Sequence, residues 1–232
     1  MSSYAKGLYM SDLMSVLNIS ASQDLQSLNN ITHNLANTNT NAYKRWMNVN
    51  KGIASENTSS IDLSTGSLRR TNRYKDIALK GSGFFVVKHQ GQTYLTRRGE
   101  LEISKEGYLT LSSGERLQGQ SGDILLEPKS FSVDQQGNII QDNVVKDSIQ
   151  VVSAELSGKQ YLGNGLFLYE NTTPIQQQDK DILQHHLESS NAVAMDEMVN
   201  LITLSRHYES VFQVANGYNS LLEKTISELG DF

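Results

Sequence analysis

From Asn191 to Leu229 the chain carries no proline, and apolar or small residues recur at alternating steps of four and three: Ala194, Met198, Leu201, Ser205, Tyr208, Phe212, Ala215, Asn219, Leu222, Ile226 and Leu229. This is a heptad seam interrupted by the polar residues Ser205 and Asn219, and it predicts a long helix over 191–232. Asn191 is suited to cap it, Asp196 and Glu197 fall at its positive end, and Gly217 weakens it by about 1 kcal/mol relative to alanine. A shorter seam at the other end (Met14, Leu17, Ala21, Asp24, Leu28, Ile31, Leu35) predicts a second helix, ending near residue 36. Both seams have the same spacing, so the two helices are expected to pair antiparallel and to keep apolar surface for other molecules.

Between the helices the pattern changes twice. Ala36-Asn37-Thr38-Asn39-Thr40-Asn41 is a run of short polar side chains that compete for backbone hydrogen bonds and favour turns. A polar connector without period follows over 37–75; from Lys44 to Lys75 it has seven Lys or Arg and two acids, a local charge of +5. From Ile77 short apolar runs alternate with turn residues. Phe84 to Val87 and Thr93 to Arg97 flank a turn at His89 to Gln92, and Leu101 to Ile103 and Tyr108 to Leu111 flank Lys105-Glu106-Gly107. The predicted organisation is an N-terminal helix (1–36), a connector (37–75), a β-rich domain (76–174), a return linker (175–190) and a C-terminal helix (191–232). The expected fold class is therefore α+β, with long terminal helices in an antiparallel coiled-coil-like pair and a compact all-β domain inserted between them.

Composition narrows the function. The net charge of −5 in 232 residues disfavours a general binder of nucleic acid or anionic membrane. Absence of cysteine excludes disulfides, thiolate metal sites and cysteine nucleophiles. The N-terminus lacks a basic region followed by an apolar core and a small-residue cleavage site, so no cleaved secretory signal is expected.

Candidate chemistry is sparse. Gly81-Ser82-Gly83 precedes a strand rather than a helix, so it fits a tight turn and not a phosphate cradle. His185-His186, near Asp179, Asp181 and Glu188, has metal-ligand residue types, but adjacent histidines point apart and no i,i+4 pair is present. His33, His89 and His207 have no serine and acid in a triad order. No catalytic, cofactor-binding or metal residue is assigned, and no cofactor, small-molecule substrate or nucleic acid is expected.

Taken in order, however, the motifs resemble those of a known family, the axial rod and hook proteins of the bacterial flagellum. Asn34-Leu35-Ala36-Asn37, Thr40 and Tyr43-Lys44-Arg45 are similar to the family's run after its N-terminal helix, with Ala42 where glycine is usual and His33 where asparagine is common. The alanine implies either that position 42 need not adopt positive φ or that modest strain is tolerated there. Ser190-Asn191, Glu197-Met198, Ile202, Arg206 and Tyr208-Glu209 resemble the C-terminal pattern, with Ala192 and Ser205 replacing the usual valine and glutamine. Gly81 to Phe85, Tyr94 to Gly99, Gly107-Tyr108-Leu109 and Gly114 resemble its β insert. Arg116-Leu117-Gln118-Gly119-Gln120-Ser121-Gly122-Asp123-Ile124 is closer to the glycine-rich version of the proximal-rod type than to a distal-rod paralogue, and there is no room for a hook protein's outer domain.

The resemblance implies a structural subunit of the basal-body rod that polymerises into the hollow drive shaft. It also implies export without a cleaved signal through the flagellar apparatus, into the rod that spans the periplasm. The partners it implies are copies of the chain, other rod proteins, and MS-ring and hook-side components. The residues it nominates for polymerisation are Leu28, Ile31, Asn34, Leu35, Asn37, Thr40, Tyr43, Lys44, Arg45, Met198, Leu201, Arg206, Tyr208, Glu209, Phe212 and Leu222. Two other classes compete. A cell-wall hydrolase would use an acid among Glu100, Glu102, Asp123 and Asp134, and a soluble coiled-coil adaptor would use the helices alone.

Overall fold

The computed structural model describes residues 3–49, 58–154, 156, 160–169, 175–176 and 180–230, without the side chains of 3–14, 58, 175–176 and 228–230. Outside this description fall part of the basic connector (50–57), Pro174 at the end of the expected β-rich domain, 177–179 of the expected linker with Asp179 of the histidine cluster, and the side chains of Met14 and Leu229. Two compact units are present, one of residues 1–35, 46–60 and 194–232, the other of residues 36–45 and 61–193.

The first unit contains α1 (Ser3–Ala36), α2 (Ala194–Gly230) and a two-stranded ribbon of β1 (Trp46–Val49) with β2 (Thr58–Ile61). Tight turns build most of the second unit. After β3 (Leu68–Arg70) and β4 (Ile77–Leu79), the hairpin of β5 (Phe84–His89) and β6 (Gln92–Thr96) turns on Gln90 and Gly91. Both have positive φ, 48° and 84°, the two-residue turn whose twist matches that of the flanking strands. β7 (Leu101–Ile103), β8 (Leu109–Leu111) and β9 (Arg116–Leu117) continue the sheet to its far edge. A separate three-stranded sheet of β10 (Ser132–Val133), β11 (Asn138–Gln141) and β12 (Val144–Ser148) again turns on two positive-φ residues, Asp142 and Asn143. β13 (Val151–Ser153), β14 (Tyr161–Gly163), β15 (Leu166–Leu168) and β16 (Ile175–Gln176) complete a nine-stranded sheet. β17 (Ile182–Gln184) and β18 (His186–Glu188) then pair antiparallel with β4 and β3.

The core of this unit is formed by side chains such as Ile77, Phe85, Val87, Leu101, Leu109, Leu117, Ile139, Ile149 and Ile182. Phe84 to Val87 is buried along its whole apolar run, as expected for a central strand covered on both faces. No helix among the described residues is long and apolar enough to cross a membrane.

The expected fold class needs correction. Strands dominate the chain, eighteen of them against two helices among the described residues. Nor do the helices make an antiparallel coiled-coil-like pair. A paired seam would be buried, yet Met198, Tyr208, Phe212 and Ile226 are each at least half exposed. The apolar spacing is real, but within one subunit few of those positions meet a partner. Asn191 does not cap α2 either, because that helix begins three residues later and the asparagine is engaged elsewhere.

Candidate functional site

Along one face of α1, Gln26, Asn30 and Asn34 recur every fourth residue, a polar stripe beside the apolar seam. Asn34 is 1% exposed, and its amide reproduces a strand pairing: Nδ2 donates to the Trp46 carbonyl at 2.9 Å and Oδ1 accepts from the Trp46 amide at 2.8 Å. Asn30 Nδ2 donates to Asn48 Oδ1 (2.5 Å) and Ser59 Oγ (3.1 Å), and Gln26 Nε2 also donates to Ser59 Oγ, at 3.0 Å. This stripe fastens the ribbon to the helix. Of its three residues only Asn34 was nominated from the sequence, although the i,i+4 spacing of Gln26 and Asn30 was visible there.

The turn after α1 is held by Asn37, whose carbonyl accepts from the Thr40 amide (3.1 Å) and whose Oδ1 accepts from Thr40 Oγ1 (3.0 Å). Ala42 follows in the left-handed region, φ 57°, and is 3% exposed. Its amide donates to the Glu188 carbonyl at 2.8 Å, so the alanine tolerates strain in order to keep a backbone contact with β18. Tyr43 and Lys44 then turn inward and are buried.

Lys44 ends at a closed cluster of charges. Glu188 Oε1 accepts from Lys44 Nζ at 2.7 Å and from the Gly66 amide at 2.9 Å, while Oε2 accepts from Arg97 Nε at 2.8 Å. Lys44 Nζ also donates to the Ser64 carbonyl (2.5 Å), and Arg97 donates to the carbonyls of Gly83 (2.7 Å) and Leu79 (3.3 Å) and to Thr65 Oγ1 (3.2 Å). Burial lowers the pKa of the Lys44 ammonium; the Glu188 carboxylate opposes this, and Arg97 adds to it. Glycine at 66 is required by close approach, since a Cβ would lie 2.0 Å from the Ser189 carbonyl oxygen.

Asn191 completes the junction. Its Oδ1 accepts from the Arg45 amide at 2.7 Å, and its Nδ2 donates to the carbonyls of Asp62 (2.9 Å) and Ser64 (3.1 Å). Segments far apart in sequence, 40–45, 61–67, 97 and 188–191, therefore converge on one buried polar cluster. Arg97 and Glu188 are the residues missed from the sequence. An arginine at a strand end and a glutamate in an expected linker give no local sign that they meet.

The nominated residues thus divide in two. Ile31, Asn34, Tyr43 and Lys44 are buried, Leu35, Asn37 and Arg45 are half-buried, and Thr40 is exposed at the turn. On α2, Leu201 and Leu222 are half-buried, while Met198, Arg206, Tyr208, Glu209 and Phe212 are exposed. Leu28 and Leu201, with Leu25, Leu204, Ser205, Tyr208 and Asp24, line an apolar cleft of about 290 Å³ in the helical unit. At Asp24, His207 Nδ1 lies 3.0 Å from each carboxylate oxygen. The acids considered for hydrolysis have structural partners: Glu100 meets Arg98 and Asn41, Asp123 meets Arg116 and Gln118, and Asp134 bonds to Asn138 within its own turn. Glu102 is an exposed residue loosely opposite Arg73. Among the described residues there is no cluster of three or more His, Cys, Asp or Glu that could hold a metal ion.

Two family models match the chain. The flagellar hook protein FlgE/F/G D1 domain matches residues 78–151, and the flagellar basal body rod FlgEFG protein C-terminal domain matches residues 183–228. A flagellar basal-body rod protein FlgG of Buchnera aphidicola is 27% identical over 85% of this chain and 92% of its own length. A flagellar basal-body rod protein FlgF of Rhizobium meliloti is 26% identical over 88% of this chain and 91% of its own. A FlgF of Caulobacter vibrioides is 29% identical over 73% of this chain and 71% of its own. With matches that run from the β unit through α2, the chain belongs to the flagellar basal-body rod protein family and is a structural subunit of that rod.

Proposed function

We propose that this subunit builds the proximal segment of the rod, polymerising with copies of itself and with other rod proteins into a hollow shaft that transmits torque and passes exported subunits. It acts without catalysis, reaches the growing tip through the flagellar export apparatus without a cleaved signal, and meets MS-ring and hook-side components at the ends of its segment.

The observation that carries this reading is the apolar surface of α2. Beyond residue 207, exposed Tyr208, Phe212 and Ile226 lie on one face, and exposed Val214 and Leu221 on another roughly 140° away at 3.6 residues per turn. A helix that exposes apolar side chains on two faces is suited to lie between neighbours. Each such side chain contributes about 1.5–3 kcal/mol when a neighbour covers it. Exposed Leu28, Met198, Arg206, Tyr208, Glu209 and Phe212, with half-buried Leu35, Leu201 and Leu222, then make the contacts between subunits. Ile31, Asn34, Asn37, Thr40, Tyr43, Lys44 and Arg45 set the chain's path so that those contacts can form. The proximal assignment is supported by the glycine-rich run before Ile124, which forms a tight turn: the Gly119 amide donates to the Gly122 carbonyl at 2.7 Å.

Leu201→Asp tests the reading. The purified variant is expected to keep the thermal transition of the β unit, while a strain carrying it loses swimming and stalls rod assembly. Normal swimming by that strain would refute the assignment.

A further inference from the structure

In the β unit, apart from the buried cluster, a polar groove of about 460 Å³ is lined by Arg69, Arg70, Thr71, Arg73, Asp76 and Glu100. Its cations are poorly engaged. Arg70 is exposed, with no side-chain hydrogen bond or ion pair among the described residues. Arg69 Nη2 reaches only the neutral Asn41 Oδ1, at 3.4 Å. Arg73 lies 3.6 Å from Asp76 Oδ1 and 3.9 Å from Glu102 Oε1, both beyond hydrogen-bonding range. Two polar atoms in the same wall, Thr71 Oγ1 and Asp76 Oδ1, are closed to solvent and have no hydrogen-bond partner. Glu100, in contrast, is already committed to Arg98 and Asn41. A solvated basic face needs neither concavity nor orphaned acceptors behind it.

We infer that this groove receives a carboxylate-bearing segment of a second copy of the chain. The arginine fork takes carboxylates in parallel hydrogen bonds, and Arg69, Arg70 and Arg73 bring three forks within five residues. Arg73, drawn to an incoming carboxylate, leaves Asp76 Oδ1, 3.6 Å from its Nε and without a hydrogen-bond partner, to accept an N–H of that segment. Charge identifies the partner. The chain totals −5 while residues 44–75 carry +5, leaving −10 on the remainder, so a like subunit presents the required acids. A basic groove meeting an acidic surface elsewhere on its copy is a heterologous contact, which propagates as an open array rather than closing as a dimer. The identity of the partner rests on the rod reading above.

The chain has no cysteine, so Asn72→Cys, at an exposed position in the groove, accepts a single photo-crosslinker. Labelled basal bodies are expected to yield a crosslink from position 72 to an acidic segment of a second copy. Its yield should fall as salt rises, because partly exposed pairs are screened. Arg70→Glu with Arg73→Glu should abolish the crosslink and swimming while leaving the melting curve of the purified chain unchanged. If the reversal unfolds the chain, Arg70→Gln with Arg73→Gln replaces it. Basal bodies that contain the chain but crosslink only to other proteins, or not at all, would overturn the groove and leave the rod assignment standing. So would charge reversal without effect on crosslink or swimming. Basal bodies lacking the chain would overturn both.

Discussion

Glu188→Gln and Lys44→Met, compared in one experiment, test whether the buried cluster is organised around its anion. Glu188 accepts from Lys44, Arg97 and the Gly66 amide, and its side chain has no solvent exposure. The glutamine keeps the shape and removes the only carboxylate among the described residues that is bonded to the two cations. Lys44 and Arg97, whose side chains are 1% and 2% exposed, then remain buried together without it. Breaking a buried ion pair by neutralising one partner costs about 3–5 kcal/mol, because the other charge stays desolvated. Lys44→Met is different. Arg97 still neutralises Glu188, the buried ammonium is gone, and an apolar chain fills the same channel. Against this stand one lost charge-assisted bond of about 1.5–3 kcal/mol and the loss of one of the two donors to the Ser64 carbonyl, which keeps Asn191 Nδ2. The net loss should be about 1–2 kcal/mol. With a urea slope of about 2 kcal/mol/M, Glu188→Gln should lower the unfolding midpoint of the β unit by about 2 M, and Lys44→Met by less than half of that. Far-UV circular dichroism during urea titration measures both. Equal losses, or a larger loss for Lys44→Met, would refute the anion-centred account.

Ala42→Gly is expected to stabilise the β unit by about 0.5–1 kcal/mol, since the residue sits at φ 57° and glycine adopts that conformation without strain; the melting temperature should rise. Asn34→Ala should remove the two hydrogen bonds that Asn34 makes to the Trp46 backbone, costing about 1–3 kcal/mol for the two and shifting the fluorescence of the single tryptophan. The pH dependence has a definite sign. Folding lowers the Lys44 pKa, so between its folded and unfolded values the unfolded chain binds more protons, and the Lys44 contribution to stability increases with pH. In Glu188→Gln, which lacks the carboxylate that opposes this lowering, the rise should begin at lower pH; urea midpoints measured across the alkaline range would detect it.

Local chemistry made part of the fold legible. The Gln90-Gly91 turn fell between two apolar runs whose every side chain on the first strand is buried from Phe84 to Val87, so pattern and turn agreed. The strands at Ile182–Gln184 and His186–Glu188 were not legible, because they pair with residues about a hundred positions earlier and are divided by His185 at φ 60°. A run of polar residues interrupted by a histidine pair carries no period-2 signal. The connector motif was legible as a motif, while its physical content was not. Lys44 was counted in the basic connector and nominated for polymerisation with no sign of Glu188, 144 residues away, which answers its charge within the subunit.

The seam on α2 misled for a different reason. Heptad spacing states that apolar side chains will be covered, and is silent on which chain covers them. Several of its positions, Met198, Tyr208, Phe212 and Ile226, remain open in a single subunit, while Leu201 and Leu222 are half-buried. The buried cluster shows the opposite economy: its charges are nearly all satisfied internally, and segments 40–45, 61–67 and 188–191 enter it from distant parts of the sequence. Polar groups that must be desolvated favour one geometry, because every misplacement leaves a bond unmade. Apolar stripes tolerate sliding and accept several partners. A subunit that meets more than one neighbour along a shaft therefore gains from placing its specificity inside, at Glu188, and its adhesion outside, on α2.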